Sequence, residues 1–352
     1  MSPSVPVVNL ADHTTFGVGG PAARFVEAVT EADLIQAVRD ADEPGTPLFV
    51  LSGGSNVLVS DDGYPGVVVH AATRGVTGNR YDDGAVVWDV AAGEAMDAIV
   101  DGAIGDGLSG LEALSGIPGL VGAAPVQNIG AYGAEIASVI VSVRVWDRLA
   151  GEQRVIDAAD CGFGYRDSIF KQSRHTGQAT GLYVVLGVSL RLVADGLSAP
   201  IAYAELAKTL GVQLGRRVPG GDVRQAVLEL RRGKGMVFDP ADPDTHGAGS
   251  FFTNPVLDAF EADDLPADAP RYPHDYGRVK TSAAWLIEHA GFPKGFGAGP
   301  ARLSSKHVLA CTNQGGATAS DVLALARQVR DGVRSKFGVT LEPEPVLVGI
   351  EL

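Results

Sequence analysis

Two stretches of the sequence combine glycines with neutral hydrogen-bonding side chains, a composition that suits anion binding by main-chain amides. One reads LSGGSNVLVSDDG (51–63) and the other GIPGLVGAAPVQNIGAYG (116–133), which has five glycines, two prolines and no charged residue. Glycine lets the main chain approach a ligand closely, whereas a buried lysine would have to be desolvated. By itself the first stretch is more typical of a hairpin turn. The two together favour a nucleotide cofactor bound by main-chain donors.

The segment FGVGGPAARF (16–25) is only superficially similar to the dinucleotide-binding fingerprint. That fingerprint places its glycines between a strand and a helix, so that the phosphate lies at the N-terminus of the helix. Here Pro21 and an apolar strand pattern follow the glycines. A Rossmann site is therefore not expected at this position.

A guanidinium, a hydroxyl and a carboxyl group lie in three further segments that could take part in chemistry. Arg166 lies in CGFGYRDSIFK, where its planar fork could bind an anion, although a surface ion pair with the next residue would also explain the pattern. Ser250 lies in a tight turn, HGAGSFFTNP, which lacks the G-x-S-x-G pattern of many serine hydrolases. Glu344 lies in LEPEPV, where the flanking prolines would hold a carboxyl group rigidly for acid–base work. Structural turns and exposed glutamates would explain the last two patterns equally simply.

The overall composition is that of a globular protein with ample apolar material, because 45% of the 352 residues are hydrophobic and 20% are charged. The formal net charge of -14 disfavours binding to nucleic acid or to an anionic membrane. Cys161 and Cys311 are too few for a disulfide framework or a four-ligand zinc site, and no metal is predicted. The N-terminus has no secretory pattern and no apolar run is long enough to span a membrane, so a cytoplasmic location is expected.

Short strand and helix patterns are mixed along the whole chain, which predicts the α+β fold class. Thr30, followed by Asp33, predicts a capped helix start. The segment DDGYPG (61–66) predicts a turn, and the alternating C-terminal segment 339–352 predicts a strand. Further strands are predicted at 24–29, 47–51, 57–60, 67–70, 85–93, 138–147 and 182–193, and further helices at 94–106, 200–210, 221–232, 281–291 and 320–336.

Seven segments, taken in order, resemble the UDP-N-acetylenolpyruvoylglucosamine reductase family of flavoenzymes in cell-wall synthesis. They are HTTFGVGGPA, SGGSNVLVSDDG, GIPGLVGAAPVQNIGAYGAEI, YRDSIFK, GSFFTNP, AAWLIEHAGFPKG and LEPE, and they span nearly the whole chain. The resemblance implies three domains, two of which enclose FAD in a fold of the vanillyl-alcohol-oxidase/PCMH type. Residues 1–78 with 340–352 would form the first FAD-binding subdomain, 79–234 the second, and 235–339 an α+β substrate-binding domain.

The resemblance also implies the reaction, which reduces the enolpyruvyl group of UDP-N-acetylglucosamine enolpyruvate to give UDP-N-acetylmuramate for peptidoglycan synthesis. NADPH would reduce the FAD, and the reduced flavin would deliver a hydride to the substrate. Arg166 would stabilise the enolate-like charge that results, and Glu344 would assist as a carboxylic acid. Ser250 would then protonate the substrate carbon.

The same matching implies a set of binding residues. FAD would be bound by Gly53, Gly54, Ser55, Asn56, Ile117, Gly119, Ala123, Ala124, Val126, Ile129, Gly130 and Tyr132, and the substrate by Tyr203, Lys234, Asn254 and His307. Two positions depart from the family pattern. Ser52 replaces the first glycine of GGGSN, and Val346 stands where relatives often have a basic residue, so one ionic contact near the cofactor would be missing.

Two other functions stay open from the sequence. The chain could be an FAD-dependent oxidase on the same cofactor fold, or a UDP-sugar-binding module without activity. An oxidase has no need of a proton donor to carbon, which favours the reductase. The expected partners are a UDP-sugar and NADPH, with no nucleic acid and no membrane, and the chain is expected to be a monomer.

Overall fold

The structure is a computed structural model that describes residues 7–81, 83–175 and 177–352. Its helices are α1 (Glu31–Asp42), α2 (Met96–Gly105), α3 (Ile169–Gln172), α4 (Ala204–Leu210), α5 (Gly220–Gly233), α6 (Ala259–Asp263), α7 (Ala283–His289) and α8 (Ala319–Phe337). Its strands are β1 (Ala22–Ala28), β2 (Leu48–Leu51), β3 (Val57–Val59), β4 (Tyr64–Ala71), β5 (Val76–Arg80), β6 (Ala85–Ala91), β7 (Leu108–Ser109), β8 (Gly130–Ala131), β9 (Ala134–Glu135), β10 (Ile140–Asp147), β11 (Glu152–Asp157), β12 (Tyr183–Ala194), β13 (Val256–Leu257), β14 (Tyr272–Pro273), β15 (Val279–Lys280), β16 (Ala301–Leu303), β17 (Cys311–Asn313) and β18 (Val346–Val348).

Two of the longer helices begin at capping boxes. The Thr30 hydroxyl accepts from the amide of Asp33, whose carboxylate accepts from the amide of Thr30, at the start of α1. Thr318 and Asp321 make the same pair of bonds at the start of α8. Gly338, with a φ of 71°, ends α8 in the left-handed conformation that glycine adopts without strain. The predicted positions of both helices are confirmed.

The chain divides into two compact units. Of the described residues, 7–8, 22–54 and 64–237 belong to the first unit, and 9–21, 55–63 and 238–352 to the second. Residues 1–6, which open the predicted first domain, lie outside the described residues. The three-domain boundaries stay a prediction.

The first unit contains two larger sheets. Strand β4 lies between β1 and β2 in a parallel sheet, on which α1 packs. The other sheet is antiparallel, with the order β11-β10-β12-β6-β5 and β7 added beside β12. A buried cluster joins the two sheets through α1, and it includes Leu34, Val38, Val69, Trp146 and Leu186.

The core of the second unit forms around α7 and α8. It includes Phe16, Phe251, Leu286, Val329 and Leu341, which are all fully or almost fully buried. Strand β18 pairs in parallel with β3 and so returns the C-terminal segment to residues 57–59. Within the described ranges, no helix is both long and apolar enough to cross a bilayer.

Two details differ from the prediction. The DDGYPG turn is shorter than expected, because β4 already begins at Tyr64, which pairs with Ala22 of β1. The C-terminal segment forms a strand only over Val346–Val348. The residues before it include Pro343 and Pro345, which have no amide hydrogen to donate to a neighbouring strand. The other predicted strands and helices agree with the structure to within a few residues.

Candidate active site

Residues 116–133 of the first unit form a compact loop closed by its own main-chain hydrogen bonds. The amides that donate to carbonyl groups within the loop include those of Ala123, Ala124, Val126 and Ile129. Gly116 and Gly119 have φ values of 72° and 106°, a region that other residues rarely adopt. Three apolar side chains of the loop pack on the core of the first unit, namely Ile117, Val126 and Ile129. The predicted FAD loop is thus anchored by its apolar side chains.

The other glycine-rich turn meets this loop within the first unit. A Cβ atom at Gly53 would lie 2.7 Å from the Cα of Gly119, so the main chain of the other loop leaves no room for a side chain at Gly53. Gly54 has a φ of 61°. The Ser52 hydroxyl is buried and, in the part of the chain that the structure describes, has no hydrogen-bond partner. The two uncharged loops lie in contact, and the buried Ser52 hydroxyl can form a hydrogen bond with a ligand. Both features fit the FAD that the sequence predicts here.

The start of the loop is fixed by a carboxylate that the sequence did not single out. The Gly116 amide donates to Asp97 at 2.6 Å, and Arg224 on α5 pairs with the same carboxylate at 2.7 Å. Burial acts to raise the pKa of Asp97, but the hydrogen bonds from Arg224 and Gly116 hold it below its ordinary value. Asp97 is therefore an anion at neutral pH and links α2, the loop and α5.

Arg166 occupies a tight turn in a strained conformation. Gly164 and Asp167 close the turn by mutual main-chain hydrogen bonds of 3.0 and 3.2 Å, and the φ of Arg166 is 54°. Such a conformation costs on the order of 1–3 kcal/mol and is found mostly at functional sites. The Arg166 guanidinium donates to the carbonyl of Gly130 at 2.9 Å. The predicted catalytic arginine therefore lies against the predicted FAD loop.

Asn128 joins the loop to the Arg166 turn, although no role was predicted for this residue. Its Nδ2 donates to Glu135 and to the carbonyl of Gly164, both at 2.9 Å, and its Oδ1 accepts from the amide of Ala137 at 3.2 Å. Asn128 is almost fully buried and has a φ of 42°. Its burial and its partners depend on tertiary packing, so no pattern in the sequence singled it out.

An aromatic and cationic cluster contains three of the predicted binding residues of the first unit. The rings of Tyr132 and Tyr203 meet edge to face with centroids 5.7 Å apart, and the Lys234 ammonium lies 5.6 Å from the Tyr132 ring. Lys234 also pairs with Glu205 at 2.6 Å. Burial raises the pKa of Tyr132 to about 12, so its phenol is neutral at physiological pH. Tyr203 is 44% exposed and can still contact a ligand.

Ser250 and Glu344 belong to the second unit, whereas Arg166 belongs to the first. The Glu344 amide donates to the carbonyl of Phe251 at 2.9 Å, and the amide of Thr253 donates to the carbonyl of residue 342 at 3.0 Å. These bonds pair the two segments in antiparallel orientation. The structure thus brings together the predicted proton donor and the predicted carboxylic acid, which are about ninety residues apart in the sequence.

The Ser250 turn is also held on its other side. The Phe251 amide donates to the carbonyl of Leu309 at 2.7 Å. A Cβ atom at Gly247 would lie 2.6 Å from the carbonyl oxygen of Cys311, so only glycine fits there. Because both ends of the turn are tied to the same segment, the position of the serine is set by the main chain rather than by its own side chain.

Two predicted binding residues of the second unit have main-chain partners. The Asn254 side-chain oxygen accepts from the amide of Ala283 at 3.0 Å, at the first turn of α7. The Asn56 amide group donates to the carbonyl of Glu344 at 3.4 Å. Ser55 lies beside Asn56 and is half-buried. Asn254 and Asn56 therefore have structural roles in addition to any contact with a ligand.

The segment that contains His307 is anchored by Asp244, another residue that the sequence did not identify. The Asp244 carboxylate accepts from the amide of Ser305 at 2.9 Å, from the Ser305 hydroxyl, and from the Gln314 side chain at 3.2 Å. Burial acts to raise the pKa of Asp244, but these hydrogen bonds hold it below its ordinary value. His307 itself is half-buried.

Two family models match this chain, one in each half of the sequence. Residues 240–348 match the family model described as UDP-N-acetylenolpyruvoylglucosamine reductase, C-terminal domain, and residues 22–157 match an FAD-binding domain model. The mixed α+β fold class and the FAD-binding fold of the vanillyl-alcohol-oxidase/PCMH type are confirmed.

Individual relatives match over almost the full length. The chain is 54% identical to the UDP-N-acetylenolpyruvoylglucosamine reductase of Thermobifida fusca, with 98% of each chain covered. It is 51% identical to that of Streptomyces coelicolor, with 97% of this chain and 90% of that one covered. The crystal structure of the reductase from Thermus caldophilus matches with a TM-score of 0.65 and 29% identity, over 98% of each chain. On these grounds the chain belongs to the UDP-N-acetylenolpyruvoylglucosamine reductase family.

Proposed function

We infer that the chain reduces the enolpyruvyl group of UDP-N-acetylglucosamine enolpyruvate to UDP-N-acetylmuramate in peptidoglycan precursor synthesis. It is a flavin-dependent oxidoreductase that uses FAD and NADPH, in keeping with its family and its FAD-binding domain. When bound, FAD accepts a hydride from NADPH and supplies one to the enolpyruvyl double bond. The observation that carries the assignment of roles is the pairing that sets Ser250 beside the Glu344 segment.

The two glycine-rich loops are proposed to hold the cofactor. Neutral main-chain donors can bind a diphosphate without the desolvation penalty of a buried lysine. The contact between Gly53 and Gly119 and the buried Ser52 hydroxyl support this assignment. Tyr132, in the same loop, would contact the cofactor through a ring that burial keeps neutral.

Arg166, Ser250 and Glu344 are proposed to act on the substrate. Hydride addition to one carbon of a double bond leaves electron density on the other carbon and its carboxylate. Arg166 would stabilise that charge, because a preorganised guanidinium is most effective where charge develops. Ser250 would donate a proton to the electron-rich carbon, and Glu344 would stabilise the same charge as a carboxylic acid.

The remaining predicted residues are proposed to bind the substrate. Tyr203 and Lys234 would contact the UDP part, since an exposed ring can stack on a base and an ammonium group can pair with phosphate. His307 and Asn254 would contact the diphosphate or the sugar. A monomer in the cytoplasm is proposed from the sequence features alone.

An anaerobic titration tests the function in two steps. The purified protein should be yellow, should bleach with NADPH, and should regain its colour when the enolpyruvyl UDP-sugar is added. Recolouring by oxygen alone, with no response to the UDP-sugar, would show an oxidase instead. A colourless protein that FAD does not reconstitute would show a binding module.

A further inference from the structure

Glu205 and Lys234 form an ion pair between α4 and the end of α5. Glu205 lies in the first turn of α4, and Lys234 directly follows the last residue of α5. The Lys234 ammonium donates to the Glu205 carboxylate at 2.6 Å. The Glu205 and Lys234 side chains are 41% and 31% exposed. A ligand at the surface of the first unit can therefore reach both charges.

Lys234 also lies against the aromatic residues of the cluster described above. Its ammonium is 5.6 Å from the centroid of the Tyr132 ring, which meets the Tyr203 ring edge to face. Tyr132 is neutral at physiological pH, because burial raises its pKa to about 12. Among these four side chains, the negative charge therefore comes from Glu205.

This arrangement opposes the binding of a phosphate group at Lys234. A phosphate that pairs with the ammonium has to displace or share the carboxylate of Glu205. The two negative groups then lie close together, and their repulsion is only partly screened at half-buried side chains. A ligand that binds here must therefore gain free energy from contacts elsewhere in the site.

We propose that Glu205 is an internal competitor for the substrate phosphate, and that it lowers the affinity of Lys234 for every phosphate anion. The inference rests on the proposed function, because Lys234 must be the residue that binds the phosphate of the UDP-sugar. The UDP-sugar overcomes the competition, since its base can stack on the Tyr203 ring, which is 44% exposed. Inorganic pyrophosphate has similar charged groups but no base. Glu205 thus limits binding to anions that make further contacts.

The test removes the charge of Glu205 while keeping its hydrogen bond. In Glu205→Gln the side-chain oxygen still accepts from Lys234, but it no longer competes as an anion. We expect the Kd of UDP, measured by calorimetry with the FAD-bound protein, to fall roughly fivefold, because one close negative charge is lost. The inhibition constant of inorganic pyrophosphate should fall by about the same factor. In about 1 M salt both differences should shrink to less than about twofold.

Asp222→Asn is the matched control, because it also removes one negative charge. Asp222 is exposed in the first turn of α5. At the helical rise it lies roughly 18 Å along the helix from Lys234, which is more than a Debye length. The Kd of UDP should therefore stay within about twofold of the wild-type value. An equal fall in both variants would show that only the net charge matters, and it would reject the role of Glu205.

Three further results would overturn the proposal. An unchanged Kd of UDP in Glu205→Gln would show that the carboxylate does not compete. A rise in this Kd in Glu205→Ala would show that Glu205 positions Lys234 for the ligand instead. A fall in the KM for NADPH without a fall in the Kd of UDP would assign the ion pair to the other nucleotide.

Failure of the proposed function would be seen separately, in Lys234→Met. If Lys234 binds the phosphate of the UDP-sugar, the Kd of UDP should rise in this variant, because an ammonium partner has been removed. An unchanged Kd would withdraw the assignment of Lys234 to the substrate, whatever the Glu205 variants show. A raised Kd in Lys234→Met with no change in Glu205→Gln would reject only the competition.

Discussion

At the scale of single residues, the proposed chemistry makes unequal demands on its three groups. A serine hydroxyl is a weak acid, so Ser250 can protonate carbon only after hydride addition has made that carbon strongly basic. Arg166 must instead be in place before the charge develops, and its turn holds it in a conformation with a φ of 54°. Ser250 can therefore act because its proton acceptor is strongly basic, and Arg166 can act because it is already held in place.

Replacing Ser250 by alanine should separate the two half-reactions. The rate of flavin reduction by NADPH should stay near the wild-type value, because no proton transfer to carbon occurs in that step. The rate of flavin reoxidation by the enolpyruvyl UDP-sugar should fall roughly 10²- to 10⁴-fold, the usual contribution of a general acid. Anaerobic stopped-flow absorbance measures both rates, and Ser335→Ala on the exposed face of α8 is the control. Equal slowing of both steps would contradict the role of Ser250.

Replacing Arg166 by lysine tests the need for the planar fork. Lysine keeps the charge but cannot reproduce the paired donors that reach the carbonyls of Gly130 and Asn128 at 2.9 and 3.4 Å. We expect flavin reoxidation by the UDP-sugar to slow about 10²-fold, typical of one lost donor to a developing anion. Reduction by NADPH should change by less than about threefold. A substrate step that stays at the wild-type rate would show that the Arg166 side chain only ties its turn to the glycine-rich loop.

At the scale of elements, the site depends on ties between segments that are distant in sequence. In the second unit, Asp244 holds the segment before His307 through Ser305 and Gln314. Phe251 binds the main chain of Leu309 in the same segment. The position of His307 therefore depends on a carboxylate about sixty residues away in sequence.

Replacing Asp244 by asparagine should weaken substrate binding without affecting the cofactor. One carboxylate oxygen becomes an NH₂ group, which cannot accept from the Ser305 amide or hydroxyl. If the lost hydrogen bond weakens the binding free energy of the UDP-sugar by roughly 1 kcal/mol, the KM for the UDP-sugar should rise about fivefold. The KM for NADPH and the Kd of FAD should not change. Asp268→Asn, on the exposed surface of the same unit, is the control, and an unchanged KM for the UDP-sugar would reject the anchoring role.

Local patterns predicted the elements well, because caps and glycines act within a few residues. The capping pair of α1 was predicted from the sequence, and α8 begins and ends within a residue of its predicted bounds. The extent of the C-terminal strand was wrong, because two prolines outweigh an alternating apolar pattern. Asp97, Asn128 and Asp244 could not be predicted, since their partners are set by tertiary contacts rather than by spacing. The candidate reactive side chains could be proposed from the sequence, but the residues that position their segments could not.

At the scale of the whole molecule, a strongly acidic protein has to accept anionic ligands. The net charge of -14 repels a nucleotide at long range, although salt screens this repulsion beyond about 10 Å. Arg231 and Lys234 place cations at the end of α5 beside Tyr132, where Glu205 pairs with Lys234. Local cations in a partly desolvated setting outweigh a distant and screened field. Nucleotide recognition is therefore a property of the site and not of the overall charge.

Alkaline stability depends on buried phenols in the first unit. Tyr64, in β4, is 8% exposed, and its ring packs on Phe49 with centroids 5.7 Å apart. Burial raises the pKa of Tyr64 from 10.0 to about 12, although Arg148 acts in the opposite direction. Because the folded pKa is the higher one, its contribution to stability is complete below pH 10 and is lost as the pH rises toward 12.

Replacing Tyr64 by phenylalanine should remove part of this pH dependence. By pH 11 the wild-type free energy of unfolding should have fallen by roughly 1 kcal/mol more than that of Tyr64→Phe, relative to pH 9. Urea unfolding at both pH values, followed by far-ultraviolet circular dichroism, measures the difference. Tyr276→Phe is the control, because that side chain is 97% exposed. If wild type and Tyr64→Phe lose stability in parallel between pH 9 and 11, the phenol of Tyr64 does not govern the alkaline limit, and the other buried groups of the first unit, Tyr132 and Cys161, must do so.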